Sequence, residues 1–118
     1  MRDLAPDVFR QRMILEGETF KPIAPEEIKE LLDKLCVDLD MVALTAPTLS
    51  YCKEYGWCGH MHWVTSGVHM YTWANRKPSF FSIDIYTCKE FSHRHAVDAV
   101  KGFLADNLDL DNFVWKEA

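Results

Sequence analysis

Residues 58–88 read CGHMHWVTSGVHMYTWANRKPSFFSIDIYTC. Two strand-like runs, 58–65 and 66–73, follow one another directly, and Asn75-Arg76-Lys77-Pro78 then breaks the pattern as a loop. A third run, 80–88, is dense in β-branched and aromatic residues, the types that pack well on a pleated surface. Three such runs joined by short breaks predict an antiparallel meander.

The flanks extend this picture. On the N-terminal side, Glu54-Tyr55-Gly56 reads as a turn, and 41–49 leans towards β structure but contains Pro47, which suits an edge strand better than a central one. Residues 8–20 (VFRQRMILEGETF) concentrate their apolar content at Met13-Ile14-Leu15, the mark of a buried strand inside a sheet. Pro25 with Glu26 and Glu27 starts a helix, because the fixed φ of proline suits the first turn and the acids meet the positive end of the helix dipole. Ile28, Leu31, Leu32, Leu35 and Leu39 recur at helical spacing and give it one apolar face. Ser92 is a natural N-cap for a second helix with the stripe Ala96, Val97, Val100, Phe103 and Leu104, and 112–115 form a last strand. The fold class expected is α+β, a two-layer sandwich of a mostly antiparallel sheet with two helices on one face, built as a single domain over residues 1–118. Its other face needs a cover. Phe80, Tyr86, Trp63, Trp73 and Tyr71 are available to it, so a homodimer through that face is expected.

Composition excludes several functions. With 118 residues, 48% of them apolar, the chain can build a core without staples, so the four cysteines read as free thiols. A formal charge of −5 with interspersed signs offers no basic stripe for phosphates, and nucleic acid is not an expected partner. The acidic balance mildly favours cationic small molecules such as amines. No apolar run approaches the ~20 residues of a membrane span, and the start MRDLAPDVFRQR lacks a signal-peptide layout, so a cytoplasmic location is expected. Cys58, His60 and His62 alternate and with Cys52 include soft ligands, but three of the four crowd one strand. Ordinary hydrogen-bonded side chains are the better reading, and no metal is assigned. His93 and His95 read as surface residues.

Residues 55–91, with Tyr55-Gly56-x-x-Gly59, Ser66, Thr72-Trp73 and Ile83-Asp84-Ile85-Tyr86-Thr87-Cys88, resemble the bacterial type of S-adenosylmethionine decarboxylase. Weaker similarity covers 12–16 and both helices. The resemblance implies a proenzyme that cuts itself between Thr65 and Ser66 and converts Ser66 into a pyruvoyl group. The pyruvoyl carbonyl would condense with a substrate amine and draw off the electrons released with CO2. Cys88 falls at the family's catalytic cysteine, the expected proton donor, and a thiol with pKa near ~8.5 suits that task.

Departures from the family pattern accompany these matches. Thr65 and Gly67 stand where the family has Glu and His around the serine, Tyr71 replaces the processing histidine, and Cys58 replaces an assisting serine. His69, two residues from Tyr71 on the same strand face, is positioned to take over acid-base work. Asn75 stands at the family's ribose-binding acid, the adenine-stacking position aligns with Cys52 beside Tyr51, and Glu16 matches an acidic position that meets the substrate amine. The function expected is a pyruvoyl-dependent decarboxylase of polyamine biosynthesis acting on S-adenosylmethionine. The alternatives are ornithine or arginine as substrate on the same scaffold, and a non-cleaving homologue serving as a binding or regulatory subunit.

Overall fold

The computed structural model describes residues 2–118. In chain order it contains β1 (Gln11–Thr19), α1 (Pro25–Asp38), β2 (Thr48–Cys52), β3 (Gly56–Trp63), β4 (Ser66–Trp73), β5 (Ser79–Thr87), α2 (His93–Leu108) and β6 (Leu110–Glu117). The strands form one six-stranded sheet in the order β2-β3-β4-β5-β1-β6, antiparallel at every pairing. The expected α+β sandwich is the observed one. β1 lies between β5 and β6, as its apolar centre required.

Alternation along the strands decides which face meets the helices. Met13, Leu15, Met61, Trp63, Val68, Met70, Phe81, Ile83 and Ile85 all point to one side and are buried. Against them pack Ile28, Leu31, Leu32 and Leu35 of α1 and Ala96, Val100 and Leu104 of α2, all fully buried. Burying one such aliphatic side chain contributes roughly 1.5–3 kcal/mol, which makes this layer the main source of stability. Gly59 permits the close approach of α1, since a Cβ there would lie 2.9 Å from Ile28 Cγ2 and 2.8 Å from Leu49 Cδ2. Val97 and Phe103, expected in the core stripe of α2, are only half-buried beside it.

Three expectations need correction. The edge strand is Thr48–Cys52, not 41–49; within the earlier stretch only Ala43 makes an isolated bridge, to Trp63. Trp63 belongs to the core face and is 1% exposed, because it shares parity with Gly59 and Met61. It cannot cover the opposite face. The last strand, Leu110–Glu117, is longer than the expected 112–115. Glu16 lies inside β1 opposite Ser82.

The face turned away from the helices is open, and Tyr71 and Tyr86 stand on it, each 45% exposed. His93 is half-buried against Phe91 and Trp115, and is not a simple surface residue. No helix among the described residues is long and apolar enough to cross a membrane.

Candidate active site

Trp63 pairs with Ser66, so β3 and β4 are joined by the two-residue turn Val64-Thr65. Thr65 adopts φ 54°, a left-handed conformation that a β-branched residue resists, at a cost of about 1–3 kcal/mol. The strained residue directly precedes Ser66. Just beyond the end of β5, the backbone N–H of Cys88 donates to Ser66 Oγ at 3.1 Å. Two residues 22 positions apart are thereby joined at one end of the sheet, and the serine hydroxyl keeps its own proton free to donate.

Ser66 opens onto a cleft of the open face lined by Arg12, His62, Gly67, His69, Asp84 and Tyr86. His69 sits in register with His60 on one side and Asp84 on the other. Its ring stacks on His60 at 5.4 Å and on Tyr71 at 6.2 Å, and His62 meets His60 edge-on at 5.5 Å. Burial, then the neighbouring His60 imidazole, pushes His69 below the ordinary histidine range, with Asp84 opposing and His62 adding a little. The imidazole is therefore neutral at neutral pH, the form that can accept a proton. Asp84 is itself held by Arg12, whose Nε and Nη2 donate to its two carboxylate oxygens at 3.0 and 2.7 Å.

The other expected residues gather elsewhere. Tyr71 and Cys58 line a second cleft on the open face with Cys52, Tyr55 and Trp73, and Cys58 Sγ donates to Ser50 O at 3.7 Å. Tyr71 is five residues from Ser66 along β4, about 16 Å at ~3.3 Å per residue. Tyr51 and Asn75 line a third cleft near the start of α1, where Tyr51 packs on Trp57 at 5.0 Å. Within one chain that cleft lies at the far end of β3 and β4 from Ser66. Glu16 accepts from Ser82 Oγ at 2.7 Å and lines none of these three clefts. The structure thus joins Ser66 to Cys88, sets His69 on the cleft that Ser66 also lines, and separates them from Tyr71, Cys58, Tyr51, Asn75 and Glu16. Among the described residues, no group of three or more His, Cys, Asp or Glu is arranged to hold a metal ion.

Sequence reasoning passed over the Arg12–Asp84 pair. The signal was present in the alternation of Arg12, Ser82, Asp84 and Tyr86 with buried apolar residues on their strands, which places all four on the open face.

A single antiparallel sheet with helices on one face carries, at one end, a serine that follows a strained turn and accepts from the backbone of a cysteine: an α+β two-layer sandwich with a Ser–Cys site. The sequence profile of the S-adenosylmethionine decarboxylase family matches residues 19–113, and the chain belongs to that family. Its fold is similar to the crystal structure of the adenosylmethionine decarboxylase from Aquifex aeolicus VF5, with a TM-score of 0.70 at 14% identity over 94% of this chain and 89% of that one. No curated protein sequence matches.

Proposed function

We propose that this chain is a self-processing, pyruvoyl-dependent decarboxylase that acts on S-adenosylmethionine in polyamine biosynthesis. The observation that carries this reading is the Ser66 Oγ contact with the Cys88 backbone N–H. It couples the residue that would become the cofactor to the residue that would deliver the proton.

Processing needs a nucleophile, a strained bond and a base. Ser66 Oγ forms a bond to the Thr65 carbonyl carbon while the Thr65–Ser66 C–N bond breaks, giving an ester. Loss of the Ser66 Cα proton and of the Thr65 carboxylate then separates the chains, and water replaces the nitrogen of the new chain start as ammonia. The left-handed Thr65 raises the energy of the uncut turn, which favours its opening. His69, neutral and lining the same cleft as Ser66 but three residues along β4, about 10 Å at ~3.3 Å per residue, takes the hydroxyl proton through bridging water; Tyr71 lies farther still within one chain. The residues around Ser66 suit a pyruvoyl group: the position adjoins a cleft and faces a backbone donor able to bind a carbonyl oxygen. That group, once formed, supplies an electron sink for loss of CO2. Cys88 holds the proton returned to the product carbon.

Tyr71 and Cys58 enter through a second copy. A two-fold axis lying between the two facing sheets, parallel to them and perpendicular to the strands, reverses the strand direction of one sheet against the other, so the Tyr71 end of one copy lies over the Ser66 end of its partner. The exposed Tyr71 and Tyr86 fit burial in such a homodimer. The Tyr71 cleft is lined by thiols and aromatics without a charged side chain, so it offers no counter-charge to the side chain of ornithine or arginine.

Release of CO2 from carboxyl-labelled S-adenosylmethionine, ornithine and arginine tests the reading. S-adenosylmethionine is expected to be the substrate, and Ser66→Ala is expected to remain uncut and release nothing. Cys88→Ala should still be cut but turn over at least tenfold more slowly. Undiminished release by Ser66→Ala would refute the assignment.

A further inference from the structure

The chain just before β1 brings a cation to the Cys88 end of the site. Gln11 and Thr87 are the last paired residues of β1 and β5, so one step further out Arg10 stands opposite Cys88. By alternation both belong with Arg12, Asp84 and Tyr86 on the open face. The position is pinned from the buried side. Gln11 Nε2 donates to Phe91 O and Gln11 Oε1 accepts from Phe91 N–H, each at 3.1 Å, which fixes the chain after Cys88 against the chain after Arg10.

The Arg10 guanidinium already holds a carboxylate. Its Nη2 donates to Asp3 Oδ1 at 2.6 Å and to Ala5 O at 3.3 Å. Asp3 raises the guanidinium further above its ordinary range, and the nearby Tyr86 and Cys88 side chains add to this more weakly. Asp3 belongs to residues 2–10, which form neither helix nor strand. An exposed ion pair of this kind is weak and screened by salt, so another carboxylate can replace it.

We propose that Arg10 is a carboxylate-binding residue of this site, which takes the carboxylate of a small ligand in place of Asp3 and holds it within reach of the Cys88 thiol. That the carboxylate is the substrate's own, the one lost as CO2, rests on the function proposed above; the anion subsite beside Cys88 does not. Its contribution is recognition and not rate, since the attraction is made to the ground-state carboxylate and vanishes with it.

Two alkylating agents test this without reference to any substrate. Iodoacetate carries a carboxylate and iodoacetamide does not, and peptide mapping reads each cysteine separately. In the wild-type chain the iodoacetate-to-iodoacetamide rate ratio at Cys88 is expected to exceed that at the exposed Cys52 at least threefold. Arg10→Gln should bring the Cys88 ratio down to the Cys52 value, Arg10→Lys should retain most of it, and Asp3→Asn should raise it. Loosening of the structure alone would move both reagents together and leave the ratio unchanged. Equal ratios at Cys88 and Cys52 in the wild type, or a Cys88 ratio that survives Arg10→Gln, would overturn the proposal. The intact mass of the same sample reports on self-cleavage independently.

Discussion

The self-cleavage proposed at Ser66 makes two demands: the hydroxyl must lose a proton to a base, and the peptide bond before it must be worth breaking. The second is met by Thr65, held at φ 54° in a turn too short to relax. The first falls to His69, whose folded pKa lies below its ordinary value through burial and the adjacent His60. Because the unfolded chain then binds the proton more readily, this residue's contribution to stability is present above about pH 6.5 and is lost as pH falls below it. Cleavage should slow over the same acidic window, as the imidazole becomes protonated. His69→Gln should slow processing at least tenfold at neutral pH and flatten the acid limb of the thermal-stability profile. Equal processing rates in His69→Gln and the wild type would remove His69 from the mechanism. Ser66 and Cys88 were legible in the sequence as a pair, through their place in the Tyr55 to Phe91 pattern. The Arg12–Asp84 pair was not, because its members are 72 residues apart and neither looks unusual on its own strand.

At the scale of elements, apolar period was a reliable guide wherever burial is one-sided. β4, β5 and both helices lie within a residue or two of where their patterns placed them, because Met70, Ile83, Leu32 and Val100 have no other way to leave water. β2 was misplaced because TLSYC is polar and mostly exposed, so its position is set by hydrogen bonding to β3 and not by its own side chains. Trp63 was misassigned by residue type, although counting alternate positions from Cys58 puts it on the Gly59 and Met61 face. Gln11 shows how separate elements are tied together. It is 9% exposed, and both hydrogen bonds of its amide go to the backbone of Phe91, just before α2. Gln11→Ala would leave a buried N–H and C=O without partners, so a loss of about 2–4 kcal/mol in urea unfolding is expected. A change below ~0.5 kcal/mol would show that water replaces the amide without cost.

At the scale of the whole molecule, the open face explains why the expected site residues fall into separate groups. One chain supplies Ser66, His69 and Cys88 at one end and Tyr71 with Cys58 about 16 Å away. The homodimer proposed through that face would place each group against the other's complement. Cys88→Ala and Tyr71→Ala chains, each expected to be at least tenfold slower alone, should when mixed and allowed to exchange recover about a quarter of wild-type turnover, since half of the dimers carry one intact site of two. No recovery in a sample shown by light scattering to be dimeric would mean that each chain works alone.

The central claim is the conversion of Ser66, and intact-mass measurement of the purified wild-type chain tests it most directly. Two products are expected, residues 1–65 and a second chain from 66 to 118 whose start is blocked to Edman degradation and gains mass on borohydride reduction. A single uncut mass after prolonged incubation would contradict it.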